Sequence, residues 1–285
     1  MKTHWLALSV LFVVAGAWGA TFTLIKSILQ QMPPEAFICW RFIIAGVVLL
    51  AFARRVDRSA LRPGAVLGLL VFTGYWCQTR GLMTISPSRC ALLTGTYVVM
   101  VPFADWLLYR ARIAAAAWFG SVLAVTGTAT LLGGIHARPQ IGDALTLVSA
   151  VCFSLHVVLS AKYTASVSAL GLAAMQVLFV GILAAPAAAF VARPQLTPRI
   201  VGVVLFTAIV TTAIAFVALM WGQARVTATE AAVMLAFEPV AGSLTSVIFH
   251  GEPVTMGLVI GALLILAAMV VSQLPENPKR DPIAP

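Results

Sequence analysis

The sequence predicts an all-α integral membrane protein of ten transmembrane helices, arranged as two inverted five-helix repeats. Three observations carry this expectation. Hydrophobic residues make up 61% of the 285 and charged residues only 9%, whereas soluble domains carry roughly 25% charge. The apolar runs reach the roughly 20 residues that an α-helix needs to cross a hydrocarbon core, and they lack the polar/apolar alternation of a spanning barrel strand. The second half of the chain also repeats the residue pattern of the first.

Ten segments follow in order, at about 5–27, 34–53, 63–83, 87–109, 113–134, 142–163, 168–192, 199–220, 228–250 and 254–273. The first stays apolar for longer than the h-region of a secretory signal, so it reads as an uncleaved helix. Pro33-Pro34, Pro63, Pro198 and Pro253 stand at segment starts, where a missing N–H costs nothing. Connections are short throughout, which makes consecutive helices antiparallel neighbours and leaves no room for a soluble domain. The remaining residues 274–285 are rich in proline and charge and read as a disordered cytoplasmic tail.

The net charge of +9 does not point to nucleic acid, because the basic residues fall in short clusters between apolar runs. With the N-terminus inside, Lys2, Arg54, Arg55, Arg58, Arg62, Arg110, Arg112, Lys162, Arg225, Lys279 and Arg280 are cytoplasmic. Lys26, Arg80, Arg89, Arg138, Arg193 and Arg199 are then outside. This excess of inner positive charge places both termini in the cytoplasm of a cell whose inner membrane the chain spans. Cys39, Cys77, Cys90 and Cys152 lie in or near apolar runs, without metal-ligand spacing or the loops of a disulfide framework, and read as packing residues.

Sliding the chain along itself until Gly81 meets Gly222 also aligns Ser88 with Thr229, Ala91 with Ala232 and Gly120 with Gly261, without gaps. A slightly smaller offset, which brings Lys26 onto Lys162, puts Trp18 on Ser154. The expected units are therefore residues 1–137 and 138–273. An odd number of spans in each forces opposite orientations and a pseudo-two-fold axis in the membrane plane, the plan of many secondary transporters.

No Gly-x-x-x-x-Gly-Lys-Ser/Thr loop is present to hold a nucleotide, and neither His-Glu-x-x-His nor Gly-x-Ser-x-Gly occurs. The expectation is a protein that is not an enzyme and uses no cofactor or metal. Ionisable groups at membrane depth tend to be functional or paired, which singles out Arg41, Asp105, His156 and Glu238. Glu238 precedes Pro239 about midway along the ninth segment, where a proline is expected to kink the helix. His156 shares a helical stripe with Ser149, Cys152 and Ser160, a face that belongs inside the protein. Asp105 sits near Arg110 and Arg112 and reads as a structural carboxylate. An unpaired Arg41 would be very unfavourable, so it must reach a carboxylate, carbonyls or water. Tyr75 and Gln78 lie together in the third segment, and Trp18 and Tyr97 are also well inside their segments. Gly257-x-x-x-Gly261 forms a small-residue stripe suited to close helix packing, either internal or between copies.

Ala17-Trp18-Gly19-Ala20-Thr21-Phe22, Arg41-Phe42, Gly81-Leu82 followed by Ser86-Pro87-Ser88, and Glu238-Pro239 with Gly251-Glu252 resemble the EamA-type drug/metabolite transporter superfamily over residues 5–273. The chain looks most like the bacterial aromatic amino-acid exporters of that group. The first half departs from the pattern, because Tyr97-Val98 stands where the second half has Glu238-Pro239 and its proline, Pro102, comes a turn later. The resemblance implies export of phenylalanine, tyrosine, tryptophan and other neutral amino acids by alternating access. Exporters of other metabolites or drugs, a membrane scaffold and an intramembrane enzyme are the alternatives. The expected substrate-contacting set is Trp18, Tyr75, Gln78, Tyr97, His156, Met234, Phe237 and Glu238, with Met83 in the same apolar wall. The expected partners are the small-molecule cargo and membrane lipid, with no nucleic acid, in a monomer or weak homodimer.

Overall fold

The structure, a computed structural model, describes residues 2–53, 58–110, 112–132, 139–191, 194, 196–226, 231 and 234–272. The expected tail 274–285 and much of the start of the ninth segment lie outside these residues. Regular structure among the described residues is helical, with no strand. The helices are α1 (Lys2–Lys26), α2 (Pro34–Ala53), α3 (Leu61–Thr84), α4 (Pro87–Gly95), α5 (Tyr97–Tyr109), α6 (Ala115–Leu132), α7 (Ile141–Tyr163) and α8 (Ala169–Ala189). They are followed by α9 (Pro198–Ala208), α10 (Ala215–Gln223), α11 (Phe237–His250) and α12 (Met256–Val271). Seven stretches are long and apolar enough to cross a membrane: Thr3–Lys26, Pro34–Ala53, Arg58–Thr84, Pro87–Tyr109, Ile141–Tyr163, Ala169–Ala189 and Pro198–Gln223. Two shorter apolar helices, Ala115–Leu131 and Met256–Val271, accompany them.

Three expected spans are not continuous α-helices. The fourth breaks between α4 and α5, where the Thr96 hydroxyl donates to the Leu93 carbonyl at 2.6 Å. The Thr96 N–H also reaches that carbonyl, at 3.3 Å, so the turn tightens before Tyr97 restarts the helix. In the eighth, Ile209–Ile214 forms a π-helical segment between α9 and α10. The expected kink at Pro239 is replaced by something simpler. The helix begins anew at Phe237, after a turn at Ala236, so Pro239 lies in the first turn of α11, where its missing N–H breaks no bond.

Lipid offers no hydrophobic force to push helices together, so close packing does that work, and small residues permit it. α2 packs on α8, α3 on α7 and α8, α6 on α12, α1 on α10 and α11, and α4 on α11. At Gly19, α1 presses so closely on α11 that an added Cβ would lie 2.7 Å from the Gly242 nitrogen. The Gly257-x-x-x-Gly261 stripe is used internally: a Cβ at Gly261 would meet the Gly127 carbonyl oxygen at 2.9 Å, on α6.

Charged groups gather at the end of the bundle that holds the C-termini of α1, α3 and α11. Lys26 Nζ donates to the carbonyls of Leu82, Met83 and Ile85 at 2.6, 3.0 and 3.1 Å, closing the C-terminus of α3. Arg80 pairs with Glu35, and Arg89 binds Asp143 through two bonds of 2.6 Å. The Glu252 carboxylate accepts from the Ser86 and Ser246 hydroxyls at 2.5 Å and from the Ser88 N–H at 3.2 Å. Burial pushes the Glu252 carboxyl up, but those hydrogen bonds outweigh it and hold its pKa below the usual carboxylate value.

Candidate functional site

Six of the eight residues expected at the site converge on one cavity. α1 supplies Trp18, α3 supplies Tyr75 and Gln78, α5 supplies Tyr97, α7 supplies His156, and the first turn of α11 supplies Glu238. Trp18, Tyr75, Tyr97 and His156 lie well inside stretches apolar enough to cross a membrane, so the cavity sits away from the ends of those stretches. Its free volume is about 50 Å³, room for a handful of waters and too little for an amino acid. Any cargo of that size requires the surrounding helices to separate.

Glu238 is the chemically exceptional member. It is buried, and among the described residues no hydrogen bond or ion pair reaches its carboxylate. Its place near the start of α11 gives it the favourable end of the helix dipole. Three other polar lining groups are engaged. His156 Nε2 and Gln176 Oε1 are 2.7 Å apart, and Gln78 Nε2 donates to Thr94 Oγ1 at 3.1 Å. Trp18 Nε1 donates to the Thr211 carbonyl at 2.8 Å, inside the π-helical segment. The cavity is thus a polar core held by neutral hydrogen bonds, with one uncommitted carboxyl group.

Aromatic edges form the remaining wall. Phe153 contacts Tyr75 and Tyr97 edge-on, at centroid distances of 5.4 and 6.4 Å, and Phe216 meets Trp18 at 5.8 Å and His156 at 6.3 Å. The sequence reading missed Phe153, Phe216, Thr21 and Leu235, which all line the cavity. Phe153 follows Cys152 of the polar stripe on α7, which was the available signal. Nothing in the sequence separates Phe216 from an ordinary packing residue.

Met234 and Phe237 are placed elsewhere. Phe237 stacks on Phe12 at 4.2 Å between ring centroids, and Met234 packs against the core without lining the cavity. The turn at Ala236 resets the helical phase, so Leu235 and Glu238 face inward. Met83 is 43% exposed, near Lys26 at the charged end.

Behind the cavity Arg41 is sealed at 1% exposure. It reaches the Thr212 hydroxyl and the Thr211 carbonyl and hydroxyl. Its guanidinium carbon lies 4.8 Å from the centre of the Tyr75 ring. Among the described residues no three His, Cys, Asp or Glu side chains converge to hold a metal ion.

Comparison with known proteins gives a consistent likeness. The family model described as EamA-like transporter family matches residues 5–133 and again residues 140–273. An uncharacterized transporter of Archaeoglobus fulgidus is 32% identical over 265 residues, covering 93% of this chain and 84% of its own. The uncharacterized transporter YoaV of Bacillus subtilis is 22% identical over 90% of this chain and 92% of its own. A solved crystal structure is similar in fold, with a TM-score of 0.70 at 22% identity, over 93% of this chain and 95% of that one.

Proposed function

The chain belongs to the EamA-like transporter family, and from that premise we propose that it exports aromatic and other neutral amino acids across the inner membrane by alternating access. The observation that carries this is the narrow cavity inside the bundle, walled by helices of both halves, into which Glu238 brings a carboxyl group with no hydrogen bond or ion pair among the described residues. A carboxylate in a low-dielectric space attracts an ammonium group, and the rings of Tyr75, Tyr97, Phe153 and Phe216 offer an apolar surface to an aromatic side chain. Among the described residues no Arg or Lys lines the cavity, so a multiply phosphorylated cargo lacks the partners it would need there.

The ten-span plan with two inverted five-helix units, 1–137 and 138–273, is supported by packing that interchanges between the halves. A Cβ on Gly46 of α2 would meet Leu178 of α8 at 3.1 Å, and one on Gly181 of α8 would meet the Ile43 nitrogen of α2 at 2.9 Å. The offset that carries Gly46 to Gly181 also carries Ile43 to Leu178, so each contact turns into the other. Likewise Gly120 faces the Ala268 oxygen at 3.0 Å while Gly261 faces the Gly127 oxygen at 2.9 Å. These are exchanged by the offset that carries Gly81 to Gly222. In this plan Ala115–Leu132, Phe237–His250 and Met256–Val271 complete the count of spans, both termini are cytoplasmic, and the charged end of the bundle faces outward. The cavity would then open at a single end while the other stays shut.

The test is flux. Purified protein in liposomes should carry labelled phenylalanine, tyrosine and tryptophan, and cells expressing it should tolerate toxic analogues of these amino acids. Robust transport of an unrelated drug or metabolite with no amino-acid flux rejects the cargo and leaves the transporter. Reporters fused at Gln140 and at the C-terminus should label opposite membrane faces, and finding them on one face rejects the inverted arrangement.

A further inference from the structure

Among the described residues no carboxylate forms an ion pair with Arg41. Its Nε donates to Thr212 Oγ1 at 2.7 Å, and Nη2 approaches the carbonyl and hydroxyl oxygens of Thr211 at 3.3 and 3.4 Å. Nη1 has no hydrogen-bond acceptor among the described residues. The ion pairs among those residues do not include Arg41. The guanidinium is held at membrane depth by neutral groups, the Thr211 and Thr212 oxygens and the Tyr75 hydroxyl, with Nη1 left over, which is an expensive arrangement. Ionisable groups at such depth pair with one another or with backbone carbonyls, or mark the path of a ligand.

One ring separates it from the cavity. Tyr75 covers the guanidinium at 4.8 Å and lines the space that Glu238 also lines. On one side of that ring lies a cation, and beyond it a carboxyl group, neither of them in an ion pair among the described residues. A direct salt bridge would cancel both charges and would have to be broken for either to meet a ligand. The intervening Tyr75 keeps them separate. The cavity of about 50 Å³ must widen before any amino acid enters, and Tyr75 is in the wall that has to give way. Once its ring turns aside, the idle nitrogen of Arg41 joins the lining.

The geometry points to Arg41 as the receptor for the cargo's carboxylate, with Glu238 taking the ammonium and Tyr75 acting as the door between resting and loaded states. This rests on the amino-acid reading above and deepens it. Thr211 and Thr212 orient the guanidinium plane through Nε and Nη2, leaving Nη1 for the ligand, and the planar fork of arginine suits a carboxylate in a way a lysine does not. The Thr211 carbonyl that receives Nη2 also receives Trp18 Nε1. The π-helical segment therefore ties the cation to the cavity wall.

The experiment uses purified protein in liposomes loaded for counterflow of labelled phenylalanine. Two competitors divide the zwitterion: phenylalaninamide keeps the ammonium, and 3-phenylpropionate keeps the carboxylate. Wild type should be inhibited by both and should favour phenylalanine over its amide by about tenfold or more, since a site built for a polar group rejects the analogue lacking it. Arg41→Met should abolish that preference and the inhibition by 3-phenylpropionate, while inhibition by the amide survives. Arg41→Lys should restore some of the preference, and Glu238→Gln should give the mirror pattern. These ratios are read on whatever protein is folded, so lower yield does not alter them. If Arg41→Met cannot be purified, wild type decides: failure of 3-phenylpropionate to compete overturns the assignment. Phenylalanine flux in wild type with equal losses for acid and amide in Arg41→Met overturns the role of Arg41 and leaves the amino-acid reading standing. Absence of amino-acid flux in wild type overturns both.

Discussion

Tyr97 and Glu238 occupy matched positions of the two proposed repeats, related by the offset that carries Gly81 to Gly222, and both line the same cavity. One brings a phenol and the other a carboxylate. Arg41 of α2 is matched, by the offset that carries Gly46 to Gly181, to Gln176 of α8. That residue is a neutral amide bonded to His156. Gly46 and Gly181, and Gly120 and Gly261, are alike at their helix crossings, whereas Tyr97 and Glu238, and Arg41 and Gln176, are not. In the proposed arrangement these close contacts keep the symmetry, and the positions of the proposed binding site give it up. A two-fold frame around an asymmetric molecule needs such a departure.

The largest expected effect tests that asymmetry. Glu238→Gln should reduce amino-acid flux by at least about tenfold while thermal stability stays level or rises, because the carboxylate forms no bond that the amide would lose and an unpaired buried charge is costly. A matching fall in melting temperature would make Glu238 a structural residue and dissolve the contrast with Tyr97.

Next come the shared contacts of the frame itself. Gly120→Ala and Gly261→Ala should each destabilise by about 1–3 kcal/mol, since each methyl is forced against backbone oxygen, and the two losses should be similar. Gly202→Ala is the control: nothing lies within 4 Å of its added Cβ, so stability should rise by about 0.5–1 kcal/mol through helix propensity. Chemical unfolding in detergent reads all three, and unequal losses at Gly120 and Gly261 would argue against interchangeable halves.

A smaller effect separates the two ends of the bundle. Glu252 joins Ser86 and Ser88 of the first half to Ser246 of the second, and its counterpart in the first repeat, Ala111, has no carboxylate. Glu252→Ala should cost about 1–2 kcal/mol at neutral pH. The folded-state pKa of Glu252 is lowered, so its stabilisation is fully present above the ordinary carboxylate value and is lost as pH falls through the lowered one. Wild type should therefore lose stability on acidification more steeply than Glu252→Ala, and parallel pH profiles would remove the clasp from the account.

The smallest effect concerns two helix ends. Arg110 and Gly251 are matched, and both are left-handed, at φ 58° and 69°. Only glycine adopts that conformation without penalty. Arg110→Gly should stabilise by up to about 1 kcal/mol, less what its contact with the Trp106 ring at 5.3 Å contributes. Gly251→Ala should destabilise by about 1 kcal/mol. Equal and opposite shifts in melting temperature would confirm that the cap geometry, and not the residue, is what the halves share.

The sequence by itself determined that the chain is helical and membrane-embedded, because a backbone without water must satisfy its own hydrogen bonds and a run of apolar side chains leaves it no other place. It also determined the polar residues that turn inward, since Trp18, Tyr75, Gln78, Tyr97, His156 and Glu238 would each be costly against lipid. Only the tertiary structure decided where each inward face points. The phase of a helix is set by its starts and breaks, and the break at Thr96, the π-helical segment at Ile209–Ile214 and the restart at Phe237 leave no periodic trace. That restart exchanged Phe237 for Leu235 in the cavity wall. Tertiary structure likewise settled that Arg41 meets threonines and a tyrosine ring instead of a carboxylate. A buried charge must find partners, but which partners depends on helices brought together from distant stretches of the chain, and periodicity within one helix holds no record of its neighbours.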